Sequence, residues 1–346
     1  MRALPFYLSF VVPACFGLAV AYGGAFTWLV PAVVFIAIPL FDLLLGHDVD
    51  DPPAVKDGRQ FAYDLALWLW VPVQLGSIAL GLWRLTQGGT LVEGVGLVFS
   101  LALITGSGGI NVAHEMMHRK PRLEQGLAEV LMTSVSYTWF CVEHVLGHHR
   151  NVATAADPAT SRYGESLYAF VPRSMLGGLA SAWRLETERV ERRGVAWTLA
   201  DRRVRHALLL IVAYALVGAV FGWLGMVFFA LQGLVASALL ETINYVEHYG
   251  LVRETGPDGR PVRVQPRHSW NSTFRVTNWY LFNLQRHSDH HAWASRPYHQ
   301  LRAFVDDSPQ LPLGYATMVL ISFVPPLFFA LMNPRVAQAD AGAKAA

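Results

Sequence analysis

Long apolar stretches separated by polar segments dominate this chain. The hydrocarbon core of a bilayer is about 30 Å thick, so a helix needs roughly 20 consecutive apolar residues to cross it. Six stretches reach that length with few or no charged residues, at about 5–23, 25–46, 64–86, 89–113, 207–225 and 226–246. The pattern predicts an all-α integral membrane protein with six transmembrane helices, built as a single domain over residues 1–346.

Three further segments differ from a simple membrane crossing. The stretch 313–332 is long enough, but it contains Pro325 and Pro326, and a double proline removes two backbone donors. We therefore expect a broken or half-buried segment there. The stretch 127–142 is apolar but short, so we expect it to pack against the bundle at the membrane surface. The tail 336–346 is small and polar, and we expect it to be disordered.

Charge gives the expected orientation. Of the residues, 53% are apolar and only 15% are charged, against about 25% in a soluble domain, and the net charge is +2. This balance excludes a disordered chain and a nucleic-acid binder. If the six spans are right, 24 of the 27 lysines and arginines lie on one face. The positive-inside rule makes that face cytoplasmic, with a polar cap of residues 114–206 and 247–312. A multi-pass protein of a bacterial inner membrane is the location we expect.

Histidines are the unusual polar component of so apolar a chain. There are thirteen, and nine of them fall in four short motifs at the predicted cytoplasmic membrane edge. The motifs are HEMMH, EHVLGHH, NYVEHYG and LQRHSDHHA. The nine histidines are His114, His118, His144, His148, His149, His248, His287, His290 and His291. The other four, His47, His206, His268 and His299, are interpreted as ordinary loop or interfacial residues.

The spacing of the nine histidines is typical of metal ligands. Residues four apart return to one face of a helix, and three pairs in these motifs have that spacing. Imidazole suits zinc, copper, nickel and iron alike, so spacing alone leaves the metal open, but nine neutral ligands imply two ions. Carboxylates that orient ligand imidazoles are expected beside them. The candidates are Glu115, Glu143, Asp157, Glu247 and Asp289.

The same histidines allow two alternative interpretations, each a different class of protein. HEMMH fits the zinc-protease pattern, with His114 and His118 as ligands and Glu115 as general base, but this leaves seven histidines without a role. A haem-binding or metal-transporting membrane protein is the non-enzymatic alternative. Its histidines are expected within the spans, whereas these nine collect at one edge.

All four motifs resemble those of the membrane-bound alkane monooxygenases (the AlkB family), within the larger fatty-acid desaturase and hydroxylase superfamily. The likeness continues between the motifs, in segments that match that family's order and spacing. It covers about residues 100 to 313. The segments are HHRNVATAADPATSRYGES, WRLETERVERRG, NYVEHYGL, RHSWNS and LQRHSDHHA.

This resemblance implies a six-span bundle with a cytoplasmic non-haem di-iron site held by the nine histidines, with no catalytic side chain beyond these ligands. The implied reaction inserts one oxygen atom of dioxygen into the terminal methyl group of a medium- to long-chain n-alkane and gives a primary alcohol. A xylene-type side-chain monooxygenase, a fatty-acid ω-hydroxylase and a desaturase are the alternatives within the superfamily. Family members limit substrate length by a bulky residue on the second span, and the matching position is Val34, with Phe35 beside it.

The implied reaction requires electrons from outside the chain. We expect no bound flavin, haem or nicotinamide, because GSGGIN at 106–111 lacks the last glycine of a dinucleotide fingerprint and lies in a predicted span. Those glycines indicate close helix packing instead. By resemblance, the donor is rubredoxin, reduced by an NADH-dependent reductase. Rubredoxins are acidic, so the arginine-rich face is a candidate docking surface, with Arg184, Arg189, Arg192 and Arg193 as the residues to test. The alternative is that these arginines serve only the positive-inside rule.

Overall fold

The computed structural model describes residues 2–52 and 60–345, the last six of them by backbone alone. Lys56 and Arg59, which the charge count assigns to the cytoplasmic face, lie outside the described residues. Four long helices open the chain: α1 (Leu4–Tyr22), α2 (Gly24–Leu45), α3 (Phe61–Thr86) and α4 (Leu91–Met117). Each is long and apolar enough to cross a membrane, and each overlaps a predicted span closely.

The second half of the chain alternates long and short helices. Helix α5 (Arg122–Ser134) and the short α6 (140–151) follow α4, and the apolar segment 127–142 is divided between them and the turn that joins them. The remaining helices are α7 (Leu167–Arg193), α8 (Arg202–His248), α9 (Arg275–Tyr280), α10 (His287–Ala292), α11 (Tyr315–Ser322) and α12 (Pro325–Ala345).

Helix α8 is a hairpin of two helical halves. Gly222 leaves the helical conformation with φ 67° and ψ −169°, a backbone region that glycine adopts readily. The rings of Tyr214 and Phe229 lie 5.2 Å apart, although fifteen residues of continuous helix would separate them by about 22 Å. The chain therefore reverses at Gly222, three residues before the predicted turn at Gly225. Gly225 instead lies within the second half, where an added Cβ would be 2.3 Å from Cβ of Phe221.

The C-terminal region confirms one prediction and contradicts another. The segment 313–332 is broken as expected, because α11 ends at Ser322 and α12 begins at Pro325. The predicted disorder from residue 336 onward is wrong for the described backbone, since α12 continues to Ala345. Alanine has the highest helix propensity, and this tail is rich in alanine. Val336 is also buried, against Gly250.

Helix α4 forms the centre of the bundle. In its most apolar stretch 78% of the residues are buried, whereas in the most apolar stretch of α2 only 22% are. A capping box starts α4: the Thr90 hydroxyl accepts from the Glu93 backbone N–H, and the Glu93 carboxylate accepts from the Thr90 N–H. Glu93 also accepts from the backbone N–H of Gly24, which fixes the turn between α1 and α2 to the start of α4. The opposite end of α4 carries His114 and is followed directly by His118. The number of membrane crossings and the side facing the cytoplasm stay predictions.

Candidate metal centre

The nine histidines of the four motifs come together in two adjacent groups. Within each group every residue offers a ring nitrogen, and all these nitrogens lie within 4.8 Å of one another. The first group has five members: His114, His118, His144, His149 and His290. The second group has four members, all of them buried: His148, His248, His287 and His291. We call these the five-histidine group and the four-histidine group.

Four separate parts of the chain supply the imidazoles. The end of α4 contributes His114 and the following His118, and α6 contributes three further histidines. The last residue of α8, His248, and the short helix α10 complete the set. The histidines of α6 and α10 are divided between the two groups, so these helices hold the groups side by side. The rings of His149 and His291, one from each group, are 4.5 Å apart.

The donor atoms have the arrangement that a metal ion requires. In the five-histidine group, Nε2 of His149 lies 3.0 Å from Nε2 of His144 and 3.1 Å from that of His290. In the other group, Nε2 of His287 lies 2.9 Å from that of His291 and 3.3 Å from that of His248. Ligand nitrogens bind about 2.0–2.1 Å from a metal, so two nitrogens on one ion can be up to about 4.2 Å apart. The residues present therefore fit one metal ion in each group.

A π-helical turn decides which histidines share a group. Residues His144–His148 form a π-helix, in which hydrogen bonds join residues five apart. His144 and His149, five apart, consequently point their Nε2 atoms at each other, while His148 turns into the four-histidine group. The rings of His144 and His148, four residues apart, are still 5.2 Å from each other, but they belong to different groups.

Burial keeps most of these imidazoles neutral. It lowers the pKa of His144, His149 and His290 far below the usual range, and the neighbouring imidazoles add to the effect. A neutral ring has a free lone pair, which is the form that binds metal. His148 differs: burial lowers its pKa, but the Asp157 carboxylate more than offsets this, so the pKa of His148 is raised.

Two of the five candidate carboxylates contact ligand imidazoles. Nδ1 of His148 donates to Asp157 at 2.9 Å, which leaves Nε2 of that ring, a buried atom without a hydrogen-bond partner, free for a metal. Asp157 in turn accepts from the Thr160 hydroxyl and the Ala159 N–H. Glu247 lies 3.2 Å from Nε2 of His287, on the metal-facing side of the ring.

The other candidate carboxylates have different neighbours. Glu115 accepts from Arg119 at 3.1 Å and from the backbone N–H of Tyr298. Asp289 pairs with Arg296 and Arg302. Glu143 is buried near the π-turn, and this burial raises its pKa to about 7. Glu115 and Asp289 therefore contact arginines and backbone N–H groups near the histidine groups, and not the imidazoles themselves.

The four histidines outside the motifs lie outside both groups. Each has another neighbour: Nδ1 of His47 lies 2.9 Å from the Thr273 hydroxyl, His206 faces Glu129, His268 faces Glu254, and His299 stacks on Tyr63. The zinc-protease interpretation fits this arrangement poorly, because Glu115 is held by Arg119 and because His114 and His118 share their group with three more histidines.

An apolar cavity leads from the bundle to both groups. His114, His144 and His287 form part of its wall. Val34 and Phe35 also line it, as the resemblance predicts for a substrate channel. Both lie on a π-helical turn of α2, Val33–Ala37, and a second π-turn in α4, Ile104–Ile110, contributes Gly106 and Ser107 to the wall. The remaining wall is mostly aliphatic: Ile38, Leu103, Leu239, Leu240, Ile243, Leu281, Leu284 and Val319.

Several polar residues of this cavity are absent from the sequence predictions. Asn244 lies four residues before His248, so helical spacing alone could have placed it on the ligand face. Tyr280 and Ser107 contact each other through their hydroxyls across the cavity. They are 173 residues apart in the chain, and no local pattern joins them.

Comparison with known proteins agrees with this geometry. The family model described as "Fatty acid desaturase" matches residues 88–322. The chain is 43% identical over 332 residues to Alkane 1-monooxygenase 2 of Pseudomonas aeruginosa, covering 93% of this chain and 87% of that protein. It is 44% identical over 318 residues to Alkane 1-monooxygenase 1 of the same organism, covering 89% of this chain and 82% of that protein. The xylene/toluene monooxygenase hydroxylase component XylM of Pseudomonas putida is 29% identical over 338 residues, which cover 96% and 88% of the two chains. The chain thus belongs to the fatty acid desaturase family and, within it, to the alkane 1-monooxygenases.

Proposed function

We propose that this protein is a rubredoxin-dependent, di-iron alkane 1-monooxygenase of a bacterial inner membrane, with its metal centre on the cytoplasmic side. The reaction consumes an n-alkane of medium to long chain, dioxygen, two electrons and two protons, and it yields a primary alcohol and water. The observation that carries the proposal is the apolar cavity, whose wall includes imidazoles of both histidine groups.

The cavity suits a substrate without polar groups. A linear alkane offers neither charge nor hydrogen bonds, so it can be bound only by shape and by removal of its surface from water. An aliphatic wall would supply both, and His114, His144 and His287 line the same cavity. An alkane dissolves in the hydrocarbon of the bilayer, so a cavity between apolar helices can be filled directly from the membrane.

The side chains position the substrate and leave oxidation to the metal. An unactivated methyl group has no acidic proton and no leaving group, and iron would supply the activation of dioxygen when bound. Asp157 fixes the ring orientation of His148 through Nδ1, and this kind of contact tunes a ligand's basicity. The surrounding apolar residues exclude water from the reacting end of the alkane.

Product analysis tests the proposed substrate class. Cells that produce the protein with rubredoxin and its reductase are supplied with octane, hexadecane, xylene and a fatty acid. We expect 1-octanol or 1-hexadecanol as the main product, and none of it in cells without the protein. Turnover of xylene alone, or of the fatty acid alone, would contradict the proposal and favour the xylene-type, ω-hydroxylase or desaturase alternative.

Substitution of Val34 tests the cavity as the determinant of chain length. Val34 is 4% exposed and faces the cavity, so Val34→Trp fills space that a longer chain occupies. The ratio of 1-octanol to 1-hexadecanol is expected to rise at least about tenfold, the smaller effect that one methylene has on selectivity in an apolar pocket.

Ile36→Trp is the matched control, because Ile36 belongs to the same π-turn but is 60% exposed. It is expected to leave the product ratio unchanged. A folded Val34→Trp protein with the original product ratio would show that α2 does not limit chain length.

A further inference from the structure

A basic groove lies on the surface beside the five-histidine group. Two segments form it, the end of α6 and the loop that follows α8. The first contributes His149, Arg150 and Asn151. The loop contributes the other wall: Arg253, Arg260, Pro261, Val262, Arg263 and Val264. We call this the arginine groove.

The positive charge of the arginine groove is not neutralised locally. Arg150, Arg260 and Arg263 are exposed, and within residues 2–52 and 60–345 none of them forms an ion pair. Two acids of the same loop, Glu254 and Asp258, form no ion pair with these three arginines. Glu254 faces Arg267 and His268, and Asp258 accepts from the backbone N–H of Arg260. Buried Arg253 donates to the carbonyl of Arg150 and so ties the two walls together.

His149 connects this groove to the metal centre. Seven of the nine histidines are buried, and only His118 and His149 are partly exposed. His149 lines the groove, while its Nε2 atom faces those of His144 and His290. One imidazole therefore both lines the groove and contacts other donor atoms of the group.

We propose that the arginine groove is the docking surface for an acidic one-electron carrier protein, whose redox centre approaches His149. This inference rests on the proposed function, because that reaction consumes two electrons per turnover. Electron-transfer rates fall exponentially with distance, which favours docking where a ligand meets the surface. Complementary charge accelerates encounter and fixes the orientation of the partner. A protein carrier fits better than an anionic lipid headgroup, since a headgroup at a metal ligand has no part in the reaction.

The arginines near the end of α7 are a weaker candidate surface. Arg189 is already paired with Glu186 at 2.7 Å. Arg192 and Arg193 are exposed, but Arg193 lies fifteen residues beyond Gly178, which is in the part of α7 that lines a small pocket with His144 and His148. Fifteen helical residues extend about 22 Å. A carrier docked there is correspondingly far from the centre.

Matched charge reversals distinguish the two surfaces. The double variant Arg260→Glu with Arg263→Glu changes the groove, and Arg192→Glu with Arg193→Glu changes the end of α7 by the same charge. Each iron-loaded full-length protein is titrated with an acidic rubredoxin for Kd, and the KM for rubredoxin is measured in alkane turnover. For the groove variant we expect the Kd and the KM for rubredoxin to rise about tenfold at low ionic strength. In high salt both values are expected to approach those of the unmodified protein. The α7 variant is expected to change them less than twofold.

Two further measurements exclude indirect effects. Reduction of the iron by reduced methyl viologen, a small cation, is expected to remain within twofold of normal in the groove variant. Unchanged Kd and KM in the groove variant would overturn the proposal, as would an equal effect of the α7 variant. Loss of binding to anionic vesicles with an unchanged rubredoxin Kd would identify a lipid site instead. The Kd is measured without alkane turnover. A protein that binds rubredoxin at the groove but does not hydroxylate alkanes would therefore contradict the proposed function and not the proposed docking surface.

Discussion

Replacing His287 with alanine is expected to remove about half of the bound iron and to abolish alkane hydroxylation. His287 is one of only four donors in its group, and its Nε2 atom lies within 3.3 Å of those of His248 and His291. Three neutral imidazoles hold an ion more weakly than four. Loss of a partner that merely orients a ligand costs 10–100-fold in metal affinity or activity. Loss of the ligand itself is expected to lower activity by more than about 100-fold.

The two groups predict different sensitivities to the same substitution. His118→Ala leaves four donors in the five-histidine group, whereas His287→Ala leaves three in the other. We therefore expect His118→Ala to retain more iron than His287→Ala. Iron per chain is measured by mass spectrometry on purified protein, and its environment by Mössbauer spectroscopy.

His47→Ala is the control for the loss of an imidazole, because His47 lies outside both groups and contacts Thr273. It is expected to retain its iron and activity. Full iron content in His287→Ala would remove this residue from the ligand set. Equal iron loss in His287→Ala and His47→Ala would show that the effect is general instability.

The set of clustered histidines is predictable from the sequence, but its division between two groups is not. Four short motifs identify all nine histidines, since metal ligands at helical spacing leave a local pattern. Within the π-turn at His144–His148, His144 shares its group with His149, five residues on, whereas His148, four residues on, belongs to the other group. An α-helical periodicity cannot reveal this grouping.

The partners of the acidic residues are equally hidden from the sequence. Asp157 and Asp289 both stand near ligand histidines, and both resemble carboxylates that orient a metal ligand. The structure brings Asp157 to His148, whereas Asp289 faces Arg296 and Arg302. The choice is made by the fold, which brings arginines from the segment after α10 back onto Asp289. In the same way, hydropathy locates the long helices well but leaves the turn of α8 to the conformation of Gly222.

Substituting Gly108 with alanine is expected to destabilise the whole bundle, because α3 and α4 touch at this residue. A Cβ on Gly108 would lie 1.9 Å from Cζ2 of Trp70, well inside van der Waals contact. Trp70 is fully buried between Phe10 and Phe282, and its Nε1 donates to Gln74 at 3.2 Å. The indole therefore cannot move aside without disturbing its neighbours. Overpacking of this kind costs about 1–3 kcal/mol or more.

The expected result is a lower thermal unfolding midpoint in detergent, by about 3–10 °C, and a lower yield of folded protein. Gly17→Ala is the matched control: Gly17 lies within α1, where an added Cβ meets nothing within 4 Å. Alanine is the better helix former, so this variant is expected to be as stable as the unmodified protein or more so. Combining Gly108→Ala with Trp70→Leu removes the clashing ring atoms, and it is expected to be less destabilising than the sum of the two single substitutions. An unchanged midpoint in Gly108→Ala would mean that α3 and α4 are not in contact at this glycine, and the cavity wall built on the adjacent Gly106 and Ser107 would then need a different position.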